Sequence, residues 1–255
     1  MRFSISIIVP TYNERPNIEL FVSELFETLK PHQDIDAELI VVDDNSPDGT
    51  AAAVRALASD YPVKAICRPG KQGLGTAVME GFAASNRPLV AVMDGDLSHD
   101  PAVLPQMIRA TADNDLAVGS RFGEQSRVEQ WTFGRKWLSL AGVAVARQLT
   151  GLQDPLSGYF CLRRSVLDSM RYPLVSPGYK ILLEIMMSKG VHTHRSFDYT
   201  FRKRQFSTSK LNHREYILFI NQLVVFGFRK LVSRPSEQPG GKTADHRSVT
   251  RSGKN

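Results

Sequence analysis

Five short apolar runs, each ending abruptly in polar residues, do most to limit what this chain can fold into. They read "FSISIIV" (3–9), "AELIVVD" (37–43), "YPVKAIC" (61–67), "LVAVMD" (89–94) and "DLAVGS" (115–120). Each has the length and β-branched content of a buried strand, too short for a buried helix. Between them lie segments with helical spacing, from about Asn17 to Leu29, from about Thr50 to Ser59, and in "GTAVMEGFAAS" and "PAVLPQMIRATA". Strands buried on both faces and alternating with helices predict an α/β fold with a largely parallel sheet. At 255 residues and 42% hydrophobic content the chain can fill such a core as one large domain, alone or with a smaller appendage.

In an open sheet of this kind the ligand crevice lies outside the carboxyl ends of the strands. The polar runs "PTYNE", "DDNSPDGT", "RPGKQGLG" and "DGDLSHD" all occupy strand exits. The fold therefore gathers them along one edge, where a shared nucleotide crevice is more economical than four separate surface decorations. Tyr12 would stack on or hydrogen-bond a nucleotide, and Glu14 would serve a ribose or its own turn. Asp43 would accept from a base or ribose, Asp44 would brace the turn backbone, and Ser46 with Pro47 would cap the next helix. Lys71 stands as a phosphate contact or a solvated lysine. "RPGKQGLG" has neither the full phosphate-loop pattern nor Gly-x-Gly-x-x-Gly, so it argues against a standard NAD site and leaves Gly73 and Gly75 to a tight turn.

Asp94 and Asp96 put two like charges one residue apart at the end of a buried strand, an arrangement that disfavours joint ionisation. A divalent cation reverses that penalty. Gly95 lets both carboxylates project to one side of a tight exit, where Mg²⁺ or Mn²⁺ would retain open positions for diphosphate oxygens. Two acids at i and i+2 are by themselves a permissive motif; their place after a buried strand strengthens it. Asp100 has a simpler role as the cap of a helix beginning at Pro101.

After Arg121 the alternation loosens. A helix is expected from about Phe133 to Leu149, a turn, short strand and helix over "DPLSGYFCLRRSVLDSM", and a helix in "GYKILLEIMMSKG" closed by Gly190. A strand around Thr193 to Phe201 and a helix near Glu215 to Val232 follow. From Ser233 onward Pro, Gly, Ser and charge predict disorder. Arg121, Arg202, Arg204 and Lys210 supply cations for a second anionic substrate, with Lys203 read as solvated. Asp154 is read equally as a turn brace or a catalytic acid, Glu184 as a helix ion pair or a site residue. His99, without partner spacing, is not a metal ligand.

Composition narrows the partners. The net charge is +6, but Arg234, Lys242, Arg247, Arg251 and Lys254 against Glu237 and Asp245 put half of it in the tail. A nucleic-acid module is disfavoured accordingly. Cys67 and Cys161 are too few for a disulfide framework and are expected as buried free thiols. The short amino-terminal apolar run does not read as a cleavable signal, and no apolar run reaches transmembrane length. A cytoplasmic protein follows, with 216–232 packing on the domain or lying in a membrane interface.

Together "PTYNE", "VDDNSPDGT", "GLGTAV", "DGDLSHDP", "GSRF", "DPLSGY", "GYKILLE" and "SKL" resemble the family-two nucleotide-diphospho-sugar glycosyltransferases, in particular the group that serves dolichyl or polyprenyl phosphate. The resemblance spans about Ser6 to Leu211. It implies a glycosyltransferase A-type domain, Rossmann-like, over 1–211, with 212–232 as an amphipathic or membrane-interface helix and 233–255 as a basic tail. It also implies a GDP-mannose donor, a divalent cation (Mg²⁺ or Mn²⁺) and a polyprenyl-phosphate acceptor. By the same resemblance Pro10, Tyr12, Glu14, Asp43 and Lys71 serve the donor, and Asp94 and Asp96 the metal and diphosphate. Arg121, Arg204 and Lys210 clamp phosphates, and Tyr179 with Lys180 closes over the substrates. The implied catalytic set is Asp94, Asp96, Arg204 and Lys210.

Four positions depart from that pattern. Ser98 stands where the family commonly has glutamine, Asp198 where it has proline, and Ser207 and Thr208 where it has glycine and glutamate. These changes bear on metal coordination, acceptor preference and loop behaviour. The implied protein is peripheral on the cytoplasmic face of a membrane, with a membrane-anchored protein as a further partner. Two other readings stay open: a polyprenyl-phosphate glucosyltransferase using a UDP-sugar, and a noncatalytic nucleotide-sugar-binding assembly subunit.

Overall fold

The computed structural model describes residues 1–128, 143–170, 180–188 and 190–203. Strand β1 (Phe3–Thr11), helix α1 (Arg15–Leu29), strand β2 (Ile35–Asp43) and helix α2 (Thr50–Ala56) open the chain. A 3₁₀ turn extends α2 over Leu57–Ser59. Then come β3 (Val63–Cys67), α3 (Leu74–Ala84), β4 (Leu89–Val92), a 3₁₀ turn (Pro101–Val103), α4 (Leu104–Ala110) and β5 (Leu116–Ser120). The remainder contributes β6 (Arg127–Val128), a helix α5 over 143–150, β7 (Phe160–Arg163), α6 (Arg164–Asp168), α7 (Ile181–Met187), β8 (His194–Asp198) and β9 (Thr200–Phe201).

The described strands form a seven-stranded sheet in the order β3-β2-β1-β4-β7-β5-β8, with β6 and β9 paired separately. Every pair is parallel except those of β7, which runs antiparallel between β4 and β5. That insertion was not legible in the sequence. "FCLR" is as apolar as a parallel strand, and direction leaves no mark on so short a run.

Alternate residues of one strand feed two cores. Ile5, Ile7 and Val9 of β1 face the buried stripe of α1, formed by Ile18, Phe21, Val22, Leu25 and Leu29 at helical spacing. Ile8, with Ile40 and Val42 of β2, faces Ala77, Val78 and Phe82 of α3. Gly81 lets α3 lie directly on Ile8, since a β-carbon there would overlap the isoleucine side chain. Both faces are covered, as the sequence pattern requires.

Register brings the strand exits level: Thr11 pairs with Asp43, Asp43 with Cys67, and Ile8 with Val92. The strand order also reverses at β1, with β2 and β3 on one side and β4 on the other. Such a switch point opens a crevice at the carboxyl ends of β1 and β4.

Several expectations change. Cys161 is buried but Cys67 is exposed, because it sits at the end of a sheet-edge strand. Ser46 and Pro47 do not cap α2; the Asp48 carboxylate accepts from the Thr50 N–H instead. The strand expected over 193–201 splits into β8 and β9. Of the helix expected over 133–149, only its last part lies among the described residues. The 216–232 helix and the tail from 233 lie outside them. Among the described residues no helix is long and apolar enough to cross a membrane.

Candidate active site

The first wall of the crevice is built from turns that hydrogen-bond one another. Asp43 is fully buried; its Oδ1 accepts from Thr11 Oγ1 at 2.9 Å and Ser46 Oγ at 2.6 Å, and its Oδ2 from the Ser46 N–H at 2.8 Å. Ser46 Oγ accepts in turn from the Asn13 N–H, and Thr50 Oγ1 from the Glu14 N–H. Asp48 receives the Arg15 N–H at 3.0 Å, stitching the exit of β1 to that of β2. Asn13 and Asn45 sit at positive φ in these turns, a conformation that asparagine tolerates well.

Asp44 braces the third turn, as expected, but with a partner that sequence reasoning missed. Its Oδ2 accepts from the Gln72 and Gly73 N–H groups at 3.2 and 2.9 Å, while Oδ1 pairs with the buried guanidinium of Arg68. Arg68 also donates to Gln72 Oε1 and Thr76 Oγ1, each at 2.8 Å. The signal was its position as the first residue of "RPGKQGLG", directly after a strand. Gly73, at φ 100°, permits the turn that aims its N–H at Asp44. Lys71 Nζ lies 4.2 Å from the centroid of the Tyr12 ring, a cation–π contact at the mouth of the crevice.

The carboxylate pair lies across the switch point, just beyond β4. Gly95 between the two packs against β1: a β-carbon there would meet Val9 Cγ1 at 2.9 Å. Asp96 is buried, and its Oδ1 accepts from the Ser98 N–H at 3.0 Å and Ser98 Oγ at 2.5 Å. Leu97 is held at φ 65° with its side chain in the core. A non-glycine residue costs about 1–3 kcal/mol in that region, strain that the surrounding packing must offset. Ser98, one of the departures from the family pattern, thus acts as a bracket that orients Asp96.

His99 organises the neighbouring acid. Its Nδ1 accepts from the Asp94 N–H at 2.9 Å, which requires a ring without a proton on Nδ1, and Nε2 lies 3.9 Å from Asp94 Oδ2. The ring is buried, stacked on Tyr159 at 4.9 Å between centroids and met edge-on by Tyr199 and Phe201. Read in sequence as an isolated histidine, it is instead a structural support of the acidic turn.

The far wall comes from the exit of β5. Arg121 Nε and Nη2 donate to the two oxygens of fully buried Asp154, at 2.7 and 2.9 Å. Burial acts to lower the Arg121 pKa, but the Asp154 charge and hydrogen bonds outweigh it and raise the value. Asp154 is therefore at least a brace for Arg121. Arg202 is not available as a phosphate clamp: it donates to Glu24 and to Asp100, 2.8 Å away, while its own N–H donates to Ser98 O. Asp100 caps Pro101–Val103 through the Ala102 N–H, as expected.

Of the residues singled out in sequence, Pro10, Tyr12, Glu14, Asp43, Lys71, Asp94, Asp96 and Arg121 occupy strand exits of the one sheet. Lys180 precedes α7 as its cap residue. Tyr179, Arg204 and Lys210 lie outside the described residues. Asp94 and Asp96 are hard oxygen donors on one strand exit, chemistry that suits Mg²⁺ or Mn²⁺. Among the described residues no group of three or more His, Cys, Asp or Glu side chains is placed to enclose an ion. A partial donor set of this kind fits a cation shared with substrate oxygens better than a resident structural ion.

Comparison with known proteins bears on the family and the fold. Residues 6–171 match the model of the family described as Glycosyl transferase family 2. A dolichol-phosphate mannosyltransferase of Pyrococcus furiosus is 37% identical over 228 residues, 86% of this chain; the chain spans 63% of that relative's length. A dolichol-phosphate mannosyltransferase of Saccharomyces cerevisiae is 32% identical, covering 88% of this chain and 86% of its own. Among solved structures, glucosyl-3-phosphoglycerate synthase from Mycobacterium tuberculosis with phosphoglyceric acid superposes with a TM-score of 0.66 at 21% identity, covering 88% of this chain and 80% of its own. A structure of the same enzyme with Mn²⁺, uridine diphosphate and glucosyl-3-phosphoglycerate gives 0.62 at 22% identity, covering 92% and 82%. At that identity the structural likeness bears on the fold.

Proposed function

The chain belongs to glycosyl transferase family 2, and from that premise we propose that it transfers mannose from GDP-mannose to dolichyl or polyprenyl phosphate. The observation that carries the proposal is the meeting, at one switch point, of an oriented acidic pair and a wall of polar strand-exit turns. The names and coverage of the dolichol-phosphate relatives support the acceptor class.

Pro10, Tyr12, Glu14 and Lys71 line the nucleotide end, where Tyr12 offers a ring face and Lys71 a charge for phosphate; Asp43, expected to accept from base or ribose, is instead fully buried with both oxygens held by Thr11 and Ser46. Asp94 and Asp96 would hold Mg²⁺ or Mn²⁺, which when bound neutralises charge on the departing diphosphate. Ser98 and His99 keep the two acids turned toward that position. Arg121 serves the second substrate, and Arg204 and Lys210, which lie outside the described residues, are assigned to it from the sequence alone.

A lipid monophosphate needs little activation, since its second pKa is about 6 and it is largely dianionic near neutral pH. One of its oxygens attacks the anomeric carbon, a new carbon–oxygen bond forms, and the bond to the diphosphate breaks with its electron pair leaving on the nucleotide. One direct displacement inverts the anomeric configuration. No protein nucleophile is needed, consistent with a sequence that has no recognisable triad. A lipid acceptor implies work at a membrane surface, and the proposed face is the cytoplasmic one.

The test is a panel of labelled GDP- and UDP-sugars with polyprenyl phosphate and Mn²⁺. Product from GDP-mannose is expected. Product from a UDP-sugar alone would replace the mannosyl assignment with a glucosyl one, and no consumption of any donor would leave a noncatalytic subunit.

A further inference from the structure

The aromatic cluster behind the acidic pair contains a polar atom that the fold does not use. Tyr199 is 4% exposed, yet its hydroxyl is buried with no hydrogen-bond partner. Its ring stands edge-on to His99 at 5.8 Å and to Tyr159 at 5.4 Å, and packs near Phe201 at 6.4 Å. Tyr159, with a ring in the same cluster, has its hydroxyl satisfied by Asp100 O at 3.1 Å. A buried, unsatisfied hydroxyl is costly, and native structures retain few without a reason.

A second donor belongs to the same cluster, through the Phe201 ring that both residues adjoin. Asp154 takes Nε and Nη2 of Arg121, and no hydrogen bond from Nη1 is made among the described residues. The guanidinium also sits 5.8 Å from the centroid of Phe201, the ring that Tyr199 adjoins. The surrounding charges agree on the location. Burial first, then Asp154, Asp94 and Asp96, push the Tyr199 phenol well above its ordinary range, with Arg121 pulling the other way. The hydroxyl therefore keeps its proton and stands as a donor.

We propose that Tyr199 Oη and Arg121 Nη1 form a paired donor site for an oxygen of the acceptor phosphate, with Tyr199 a substrate-contact residue. The site selects an anion because it offers two hydrogen-bond donors and one positive charge, and Asp154 holds the guanidinium in register. It explains why the hydroxyl is left unsatisfied: its partner arrives with the substrate. The inference rests on the acceptor assignment made above, and adds to it a residue that neither spacing nor charge singled out.

Tyr199→Phe in the full chain removes only the oxygen and keeps the ring contacts. Without substrates its melting temperature should equal or exceed that of the parent, because an unsatisfied group is lost. Its KM for polyprenyl phosphate should rise about 10- to 100-fold, the value of a hydrogen bond to a charged group, with KM for the sugar donor unchanged. Inorganic phosphate, used as a probe in thermal shift, should stabilise the parent more than the variant. A fall in melting temperature would mean that the hydroxyl has a structural partner, and an unchanged acceptor KM with an equal response to phosphate would also overturn the site. If the parent turns over no GDP-mannose yet phosphate still distinguishes parent from variant, the assigned reaction fails and the paired donors stand.

Discussion

The turns that follow β1, β2 and β3 and the wall around β5 and β9 use polar side chains in opposite ways. In the first region Asp43, Asp44 and Asp48 accept from backbone amides, hydroxyls and Arg68. In the second, Arg121 is held by Asp154 on two of its nitrogens, while Tyr199 Oη is left without a partner. The contrast lies in what each region leaves unpaired. The turns of the proposed nucleotide end bond one another and leave an acceptor, Asn13 Oδ1, without a partner, whereas the proposed acceptor end leaves a donor, Tyr199 Oη. The acidic pair lies between them and is braced from both sides, by Ser98 and by His99.

The largest effect expected is at that boundary. Asp96→Asn should lower kcat/KM by about 100- to 1000-fold or more while leaving the melting temperature near that of the parent, since Ser98 can still donate to the amide oxygen. Turnover near the parent value would remove Asp96 from the chemistry and with it the reason for the boundary. Asp154→Asn should come next. Removing the charge that compensates Arg121 is expected to cost about 3 kcal/mol, near the lower end for breaking a buried pair because Arg121 retains some exposure, and chemical denaturation measures it. A loss confined to activity would make Asp154 catalytic rather than a brace.

The smallest effect concerns the first wall. Burial acts to raise the Asp48 pKa, but the Thr50 hydroxyl and the Arg15 and Thr50 amides outweigh it and hold the carboxyl below its ordinary value. A carboxyl depressed in the folded state contributes stability that is present above its unfolded pKa of about 3.9 and is lost as pH falls through the folded value. Asp48→Asn should therefore lower the melting temperature at pH 7 and converge with the parent as pH falls through the depressed folded value. A difference that grows on acidification would reverse the sign and detach Asp48 from the stitch.

The first half of the fold was legible because parallel strands buried on both faces leave nearly continuous apolar runs, and because polar residues at their ends cannot be core. "LIVVDD" and "LVAVMD" gave both the strand and the position of the crevice. The reversal of β7 was not legible, since direction leaves no trace in a four-residue apolar strand. Asp94 and Asp96 were found by spacing, but their supports were not. His99 and Tyr199 are separated by a hundred residues, and the pairings that run from β4 through β7 and β5 to β8 bring them together. Arg202 shows the opposite error: a cation in a basic run read as a phosphate ligand is committed to Glu24 and Asp100.

Calorimetric titration of GDP-mannose into the protein, with and without Mn²⁺, asks whether the two acids act on the donor through a cation. Binding by the parent should tighten at least about tenfold when Mn²⁺ is present, and Asp96→Asn should abolish the difference while retaining the weaker metal-free binding. Equal donor affinity in both conditions, unchanged by the substitution, would contradict the account.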